Sequence, residues 1–188
     1  WAATRPVVVD VLRIALRDSD PDVATHAISA LLAVSDELLG PDDVQVLLRL
    51  AAPRANARSD SARRLAASAL HALRVLARGH AHTIRRCLAE LPSDDETAPV
   101  ACALLSVIGN ADDVEWLSRA VSASSAATRR AAAEALGHIG GSRGAEHLRF
   151  TLADEAVEVV HEAIRALGRV RDDNDESAGV LTLLSLLE

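Results

Sequence analysis

Apolar residues recur along the chain at the spacing i, i+3, i+4, i+7, which places them on one face of an α-helix. Five segments share one version of this pattern: an Ala, a small or apolar residue, a Leu and then an aliphatic residue. In each segment the Ala stands four residues before the Leu, and its small side chain lets two helix backbones approach closely. We expect the five Leu residues to be buried and stacked in one row: Leu31, Leu70, Leu105, Leu136 and Leu167.

A second set of amphipathic segments lies between these five. Proline takes the first helical position of one helix in each set, at Pro21 and Pro41, and glycines such as Gly109 and Gly140 stand where helices should end. The helices of the second set are expected at residues 6–17, 41–52, 82–91, 111–121, 143–152 and 177–187.

The alternation of the two sets predicts an all-α fold without a sheet. Five antiparallel helix pairs and a closing helix make a right-handed α-solenoid, because a single pair cannot bury its apolar face alone. The repeats of this single solenoid, residues 1–188, are expected at 5–36, 41–78, 80–109, 111–140 and 142–171, with the final helix at 177–187. Since the first residue is Trp1, we also expect the chain to be part of a longer product.

Composition favours the same class of protein. The 188 residues include 37 Ala and 27 Leu, both strong helix formers, while aromatic residues make up 2% of the chain. The longest uncharged run, 97–111, has 15 residues, whereas a spanning helix needs about 20 apolar residues, so we expect no membrane span. Cys87 and Cys102 are too few for a disulfide scaffold, and we expect both to be small buried residues of a cytoplasmic protein.

One segment resembles a known repeat signature. Residues 128–141, TRRAAAEALGHIGG, are similar to the pattern Val-Arg-x-x-Ala-x-x-Ala-Leu-Gly-x-Ile-Gly of bacterial HEAT-like repeats, the short type first noted in phycobilisome lyases. Residues 159–170 keep Ala163, Ala166 and Leu167 but have Val160 where the family has Arg. The resemblance covers nearly the whole chain, although the second and third repeats are longer and divergent.

The resemblance implies a HEAT-like α-solenoid in which the second helix of each pair lines the concave surface. It also implies that the Arg of the signature bonds to acids of the adjacent repeat, so we expect Arg63 and Arg129 to be structural. It specifies the fold much more than the function, because HEAT-like solenoids serve many roles.

Charge is segregated along the chain, whose formal net charge is −7. Residues 54–86 hold eight Arg and one acid, Asp60, for a net charge of +7. Residues 1–53 carry a net charge of −4 and residues 87–188 a net charge of −10. The chain is therefore basic in its second repeat and the start of its third, and acidic on either side.

A basic stripe is expected on the far side of the helix around Leu70. At 100° per residue, Arg64, His71 and Arg78, which are spaced by seven, fall opposite the expected core face. Arg74 lies at the edge of this side. Arg130 and His161, in later repeats, stand at the position equivalent to Arg64. The alternative is that all of these residues only form the solvated polar faces of amphipathic helices. The candidate partner-binding residues are Arg64, His71, Arg74, Arg78, Arg130 and His161.

Other residues give little sign of catalysis or metal binding. His80 and His82 are a close pair but have no Cys or Glu at metal-ligand spacing. The acidic run 172–176 lacks the glycine and the twelfth-position Glu of a calcium loop, and Trp116 is expected to be a packing or rim residue. We expect no catalytic residue, no cofactor and no metal.

The leading hypothesis is a non-catalytic protein–protein interaction scaffold that uses a groove or ridge, with an acidic or phosphorylated segment as partner. One alternative is a nucleic-acid-binding HEAT-like module that uses the arginines of residues 54–86. The net acidic charge and the scarcity of aromatic residues argue against a nucleic-acid partner. A second alternative, suggested by the repeat class alone, is a bilin-lyase-like enzyme or chaperone.

Overall fold

The structure is a computed structural model that describes residues 5–34, 40–52, 59–90 and 96–170. The final helix expected at 177–187 and the acidic run 172–176 lie outside the described residues. Within them the chain forms α-helices and no strand, so the all-α prediction is confirmed. The helices are α1 (Arg5–Ala15), α2 (Pro21–Val34), α3 (Pro41–Ala51), α4 (Asp60–Leu76), α5 (Ala81–Ala89), α6 (Ala98–Ile108), α7 (Val114–Ala120), α8 (Ala126–Ile139), α9 (Gly141–Thr151) and α10 (Val157–Arg169).

Short polar side chains and glycines set the helix boundaries. Ser59 caps α4 by accepting a hydrogen bond from the backbone N–H of Ala62 at 3.2 Å, and Ser125 caps α8 in the same way. Gly109 ends α6, as its position predicts. Gly140 ends α8 with φ of 77°, a left-handed conformation that glycine adopts without steric cost.

The chain divides into two compact units, Trp1–Pro92 and Ser93–Glu188. In the first unit, α2 packs against α1 and α4, and α3 packs against α4 and α5. In the second unit, α8 packs against α6, α7, α9 and α10, and α9 also contacts α7 and α10. Within each unit, therefore, successive helix pairs stack on one another, as the alternating pattern predicts.

Two helix backbones, those of α8 and α10, approach each other closely in the second unit. A Cβ atom at Gly137 of α8 would lie 2.6 Å from the Cβ of Ala166 and 2.7 Å from its Cα on α10. Contact this close is possible only because neither residue is larger. The close approach involves Gly137 and Ala166, so the same role for the Ala four residues before each Leu, here Ala132 and Ala163, stays a prediction.

Four of the five expected core leucines are buried, and one is not. Leu31, Leu105, Leu136 and Leu167 are all buried. Leu70 is only half-buried, so its assignment as the core residue of α4 is wrong. The fully buried leucine of this helix is Leu73.

The error arises because the apolar arc of α4 is wide. Ala69, Ala72, Leu73 and Leu76 are buried, and they repeat the same Ala, small, Leu, aliphatic pattern three residues later than the predicted one. At 100° per residue Leu70 lies at the edge of this arc. Two registers of one pattern are therefore present in the sequence, and packing against α2 and α3 selects the second.

Candidate functional site

The basic stripe of α4 lies on the solvent side of the helix. Arg64 and His71 are exposed and point away from the buried face that contains Leu73. Arg74 is half-buried. Arg78 is exposed but lies in the turn after α4, because the helix ends at Leu76. The four residues expected on this stripe are thus on one side of α4 and its C-terminal turn.

One carboxylate approaches this stripe from the neighbouring helix. The Arg64 Nη2 atom lies 3.5 Å from Oδ1 of Asp22, in the first turn of α2. Both side chains are more than half exposed, and an ion pair of that kind contributes about 0–1 kcal/mol. Arg64 therefore remains able to exchange Asp22 for another anion.

Because the buried leucine of α4 is Leu73 and not Leu70, the residues of α4 that correspond to those of the other repeats also change. Arg130 and His161 stand six residues before the buried leucines Leu136 and Leu167. Six residues before Leu73 is Ala67, not Arg64. Arg64 therefore does not share a repeat position with Arg130 and His161, and a single row of all three remains only a prediction.

Arg130 and His161 belong to the second unit. They are exposed, on α8 and α10 respectively, and these two helices pack directly against each other. Their equivalent positions, 31 residues apart, place them on corresponding parts of neighbouring helices. A role for either residue in binding stays a prediction.

Arg129 is structural, as the resemblance implies. Its side chain is 9% exposed and donates from Nε and Nη2 to the two carboxylate oxygens of Asp154, at 2.7 and 2.9 Å. Its Nη1 atom donates to the backbone oxygens of Ala123 and Ser124. This cluster ties the start of α8 to the turn before α10.

The same ion pair shifts the titration of both partners. The hydrogen bonds from Arg129 hold the pKa of Asp154 below its usual range, and they raise the pKa of the Arg129 guanidinium. Both groups are therefore charged at neutral pH and satisfy each other. Arg129 is occupied by this contact and is a poor candidate for partner binding.

Arg63 does not make the kind of contact with an adjacent repeat that Arg129 makes. It donates to Asp60 of its own helix at 2.7 Å and stays exposed, so the prediction that it bonds to an adjacent repeat is wrong. The reason is again the register of α4. Seven residues before Leu73 is Ala66, so Ala66, and not Arg63, occupies the repeat position of Arg129.

Sequence reasoning missed a second paired arginine, in the first unit. Arg13 of α1 donates from Nε and Nη2 to the buried carboxylate of Asp43, both at 2.9 Å, and these hydrogen bonds raise the pKa of Arg13. Asp43 also accepts from the backbone N–H of Gly40 at 3.0 Å and so caps α3. An acid three residues after the helix-starting glycine was the signal that marked Asp43.

Both cysteines are buried, as predicted. Burial raises the pKa of Cys102 to about 12 and also raises the pKa of the Cys87 thiol. A nucleophilic cysteine needs a lowered pKa and exposure, and these two have neither. They act as small packing residues.

Metal-binding groups do not assemble in the part of the chain that the structure describes. No group of three or more His, Cys, Asp or Glu residues is placed there to hold a metal ion. His80 is half-buried before α5, His82 is exposed on it, and Trp116 of α7 is half-buried. The described surface therefore offers exposed guanidinium groups, which bind carboxylates and phosphates through charge-assisted hydrogen bonds.

Comparison with known proteins agrees with the helix-pair architecture. The family model described as HEAT repeats matches residues 84–168, which supports a HEAT-like repeat family. A crystal structure of an engineered protein is similar to the chain with a TM-score of 0.54 and 21% identity, over 95% of this chain and 88% of that one. At that identity the similarity shows the fold alone. Together these findings confirm the predicted all-α fold of helix pairs, and they support HEAT-like repeats at residues 84–168.

No curated protein matches the chain. Among the described helices, none is both long enough and apolar enough to cross a membrane.

Proposed function

We propose that the protein is a non-catalytic interaction scaffold that binds an acidic or phosphorylated segment of a protein partner at the basic face of α4. HEAT repeats generally act as protein-interaction scaffolds, which supports the general role. The single observation that carries the specific proposal is the exposure of Arg64, His71 and Arg78 on one side of α4 and its C-terminal turn.

Charge favours a short anionic segment over a long polyanion. Residues 54–86 carry a net charge of +7, while the residues before and after them are net acidic. Such a field attracts an anion to one place and repels it on both sides. A duplex would extend beyond the basic region, and a single strand would lack aromatic residues for stacking, because the chain holds only two Trp and one Phe.

The contacts of Arg64 support exchange with a partner. Its 3.5 Å contact with Asp22 is long and exposed. A bound carboxylate or phosphate could accept two shorter hydrogen bonds from the same guanidinium, which gains more than the exposed pair loses. By contrast, Arg129 could bind a partner only by giving up its buried contact with Asp154.

Differential capture tests this proposal. The wild-type chain and the double variant Arg64→Glu/Arg78→Glu would be used as baits in lysate of the source organism, and retained proteins quantified by mass spectrometry. The matched control is Arg143→Glu/Arg149→Glu, which makes the same change in net charge at two exposed arginines of α9. We expect a protein with an acidic segment to be retained by the wild type and the control and lost from the α4 variant.

Two outcomes would overturn the proposal. Equal capture by all three baits would mean that the arginines of α4 are only a solvated face. Loss of nucleic acid, with no change in retained protein, would favour the nucleic-acid-binding alternative.

The subtype of repeat and the location of the protein are also proposals. The bacterial, phycobilisome-lyase-like subtype is supported by the signature at residues 128–141, which lies inside the matched range 84–168. The cytoplasmic location is supported by Cys87 and Cys102, which are both unpaired thiols.

A further inference from the structure

A cavity of about 750 Å³ lies between the α1–α2 turn, α3 and the N-terminal half of α4, all within the first unit. Its larger apolar lining residues are buried or half-buried and come from each of these elements: Leu16, Pro21, Val46, Leu50 and Leu65. Small-molecule sites are commonly of this size, with a mainly apolar lining and a few polar groups. We refer to this space as the α1–α4 cavity.

The repeat pattern explains why the α1–α4 cavity is open. The residue of α2 at the repeat position of Arg129 is Ala24. In the second unit, Arg129 donates to the backbone oxygens of the residues five and six positions before it, in the turn before α8. The residues five and six positions before Ala24 are Ser19 and Asp18, and both line the cavity. The methyl group of Ala24 is too short to fill the space beside this turn.

Positive charge surrounds the α1–α4 cavity. Three exposed arginines line it, each from a different element: Arg17 of the α1–α2 turn, Arg49 of α3 and Arg63 of α4. Among the described lining residues the acid is Asp18, whose Oδ1 atom accepts the backbone N–H two residues later at 2.9 Å. Residues 53–58, which connect α3 to α4, include two Arg and no acid. An anion is therefore favoured over a cation.

The three guanidinium groups differ in their present contacts. Arg17 donates from Nη1 to a backbone oxygen of α1 at 3.0 Å, a contact that leaves its positive charge uncompensated. Arg63 donates to Asp60 at 2.7 Å, but both side chains are more than two-thirds exposed, and such a pair is weak. Arg49 has no hydrogen bond or ion pair with the part of the chain that the structure describes. Arg49 is therefore the group best suited to receive an anion.

We infer that the α1–α4 cavity binds a small amphipathic anion of the medium-chain carboxylic acid class. The hydrocarbon chain contacts the apolar lining, because this contact removes half-buried apolar surface from water. The carboxylate accepts charge-assisted hydrogen bonds from Arg49, and the positive charges of Arg17 and Arg63 stabilise it further. The inference does not rest on the function proposed for α4, because Arg64 and Arg78 do not line this cavity.

Isothermal titration calorimetry with three defined probes tests the chemistry of the ligand. Octanoate carries both an apolar chain and a carboxylate, octylammonium carries the same chain with the opposite charge, and acetate carries the carboxylate without the chain. We expect octanoate to bind the wild type with one site per chain. Octylammonium and acetate should each bind at least tenfold more weakly, because each lacks one of the two contacts.

A matched pair of variants tests the place of binding. Arg49→Gln removes the charge of an exposed arginine in the last turn of α3, and the control Arg149→Gln does the same in the last turn of α9. We expect Arg49→Gln to weaken octanoate binding at least fivefold and Arg149→Gln to keep wild-type affinity. The far-UV helix signal should be unchanged in both variants, since both side chains are exposed.

Three results would overturn the inference. The first is the absence of saturable octanoate binding to the wild type. The second is octylammonium binding as tightly as octanoate, which would mean that the arginines do not select the charge of the ligand. The third is equal affinity of Arg49→Gln and Arg149→Gln for octanoate, which would place binding outside the α1–α4 cavity.

Discussion

At the scale of single residues, the arginines fall into two groups with different roles. Arg13 and Arg129 each place two guanidinium nitrogens on one nearly buried carboxylate, and both carboxylates also accept a backbone N–H. Arg64 and Arg78 are exposed and have no such partner. The first group stabilises the fold, and the second group is the one that we propose binds a partner.

The pair of glycines at equivalent repeat positions gives a direct test of close helix packing. We expect Gly137→Ala to destabilise the protein by about 1–3 kcal/mol, because its Cβ would lie 2.6 Å from the Cβ of Ala166. The control is Gly168→Ala, 31 residues later, where a Cβ meets no atom within 4 Å. That change should stabilise the helix by up to about 1 kcal/mol. Urea unfolding measures both, and destabilisation of equal size at the two sites would contradict the packing described.

The ion pair of Arg129 predicts a pH-dependent stability. Because the pKa of Asp154 is lowered in the folded state, its contribution is fully present above the unfolded pKa of about 3.9. It is lost as the pH falls through the lower folded pKa. Asp154→Asn should therefore reduce the free energy of unfolding at pH 7, and the gap to wild type should shrink below about pH 4.

Unfolding in urea at several pH values measures this gap. The control is Asp112→Asn, because the Asp112 side chain is exposed. The prediction would be contradicted if the difference in free energy of unfolding between wild type and Asp154→Asn stayed constant between pH 7 and pH 3. It would also be contradicted if Asp112→Asn gave the same pH-dependent difference.

At the scale of elements, the sequence predicts where helices lie better than which way they face. The expected helix at 41–52 is observed at Pro41–Ala51, and the one at 143–152 is observed at Gly141–Thr151. Capping residues and glycines mark such boundaries locally. The orientation of α4 about its own axis is not determined by local sequence. Its wide apolar arc fits two registers, and only packing against α2 and α3 distinguishes them.

Two leucines of α4 test its register. We expect Leu73→Ala to cost about 2–5 kcal/mol, because Leu73 is fully buried. Leu70→Ala should cost about 1 kcal/mol, since only part of the Leu70 side chain leaves water on folding. The free energy of unfolding in urea measures both changes. A larger loss at Leu70 than at Leu73 would restore the register first expected from the sequence.

At the scale of the whole molecule, charge and apolar exposure divide the surface into regions of different character. The acidic residues 1–53 contain the exposed apolar residues Val7, Val11 and Ile14 of α1, and the basic residues 54–86 contain the exposed Arg64 and Arg78. The sequence predicted the basic region, because charge can be counted without a structure. It did not predict the exposure of Val7, Val11 and Ile14, because apolar residues at helical spacing look the same in sequence on a covered and on an exposed face.

We propose that the exposed arginines of α4 and its C-terminal turn, Arg64 and Arg78, bind an anionic protein segment. The most direct measurement is a titration of a labelled acidic peptide containing phosphoserine, at low salt and at about 0.15 M salt, followed by fluorescence anisotropy. Arg64→Glu/Arg78→Glu should weaken binding by well over tenfold, which is more than about 1.4 kcal/mol, and should flatten its salt dependence. Arg143→Glu/Arg149→Glu should keep wild-type affinity, and the far-UV helix signal should be unchanged in both. Equal affinities of the wild type and the α4 variant at both salt concentrations would contradict the claim.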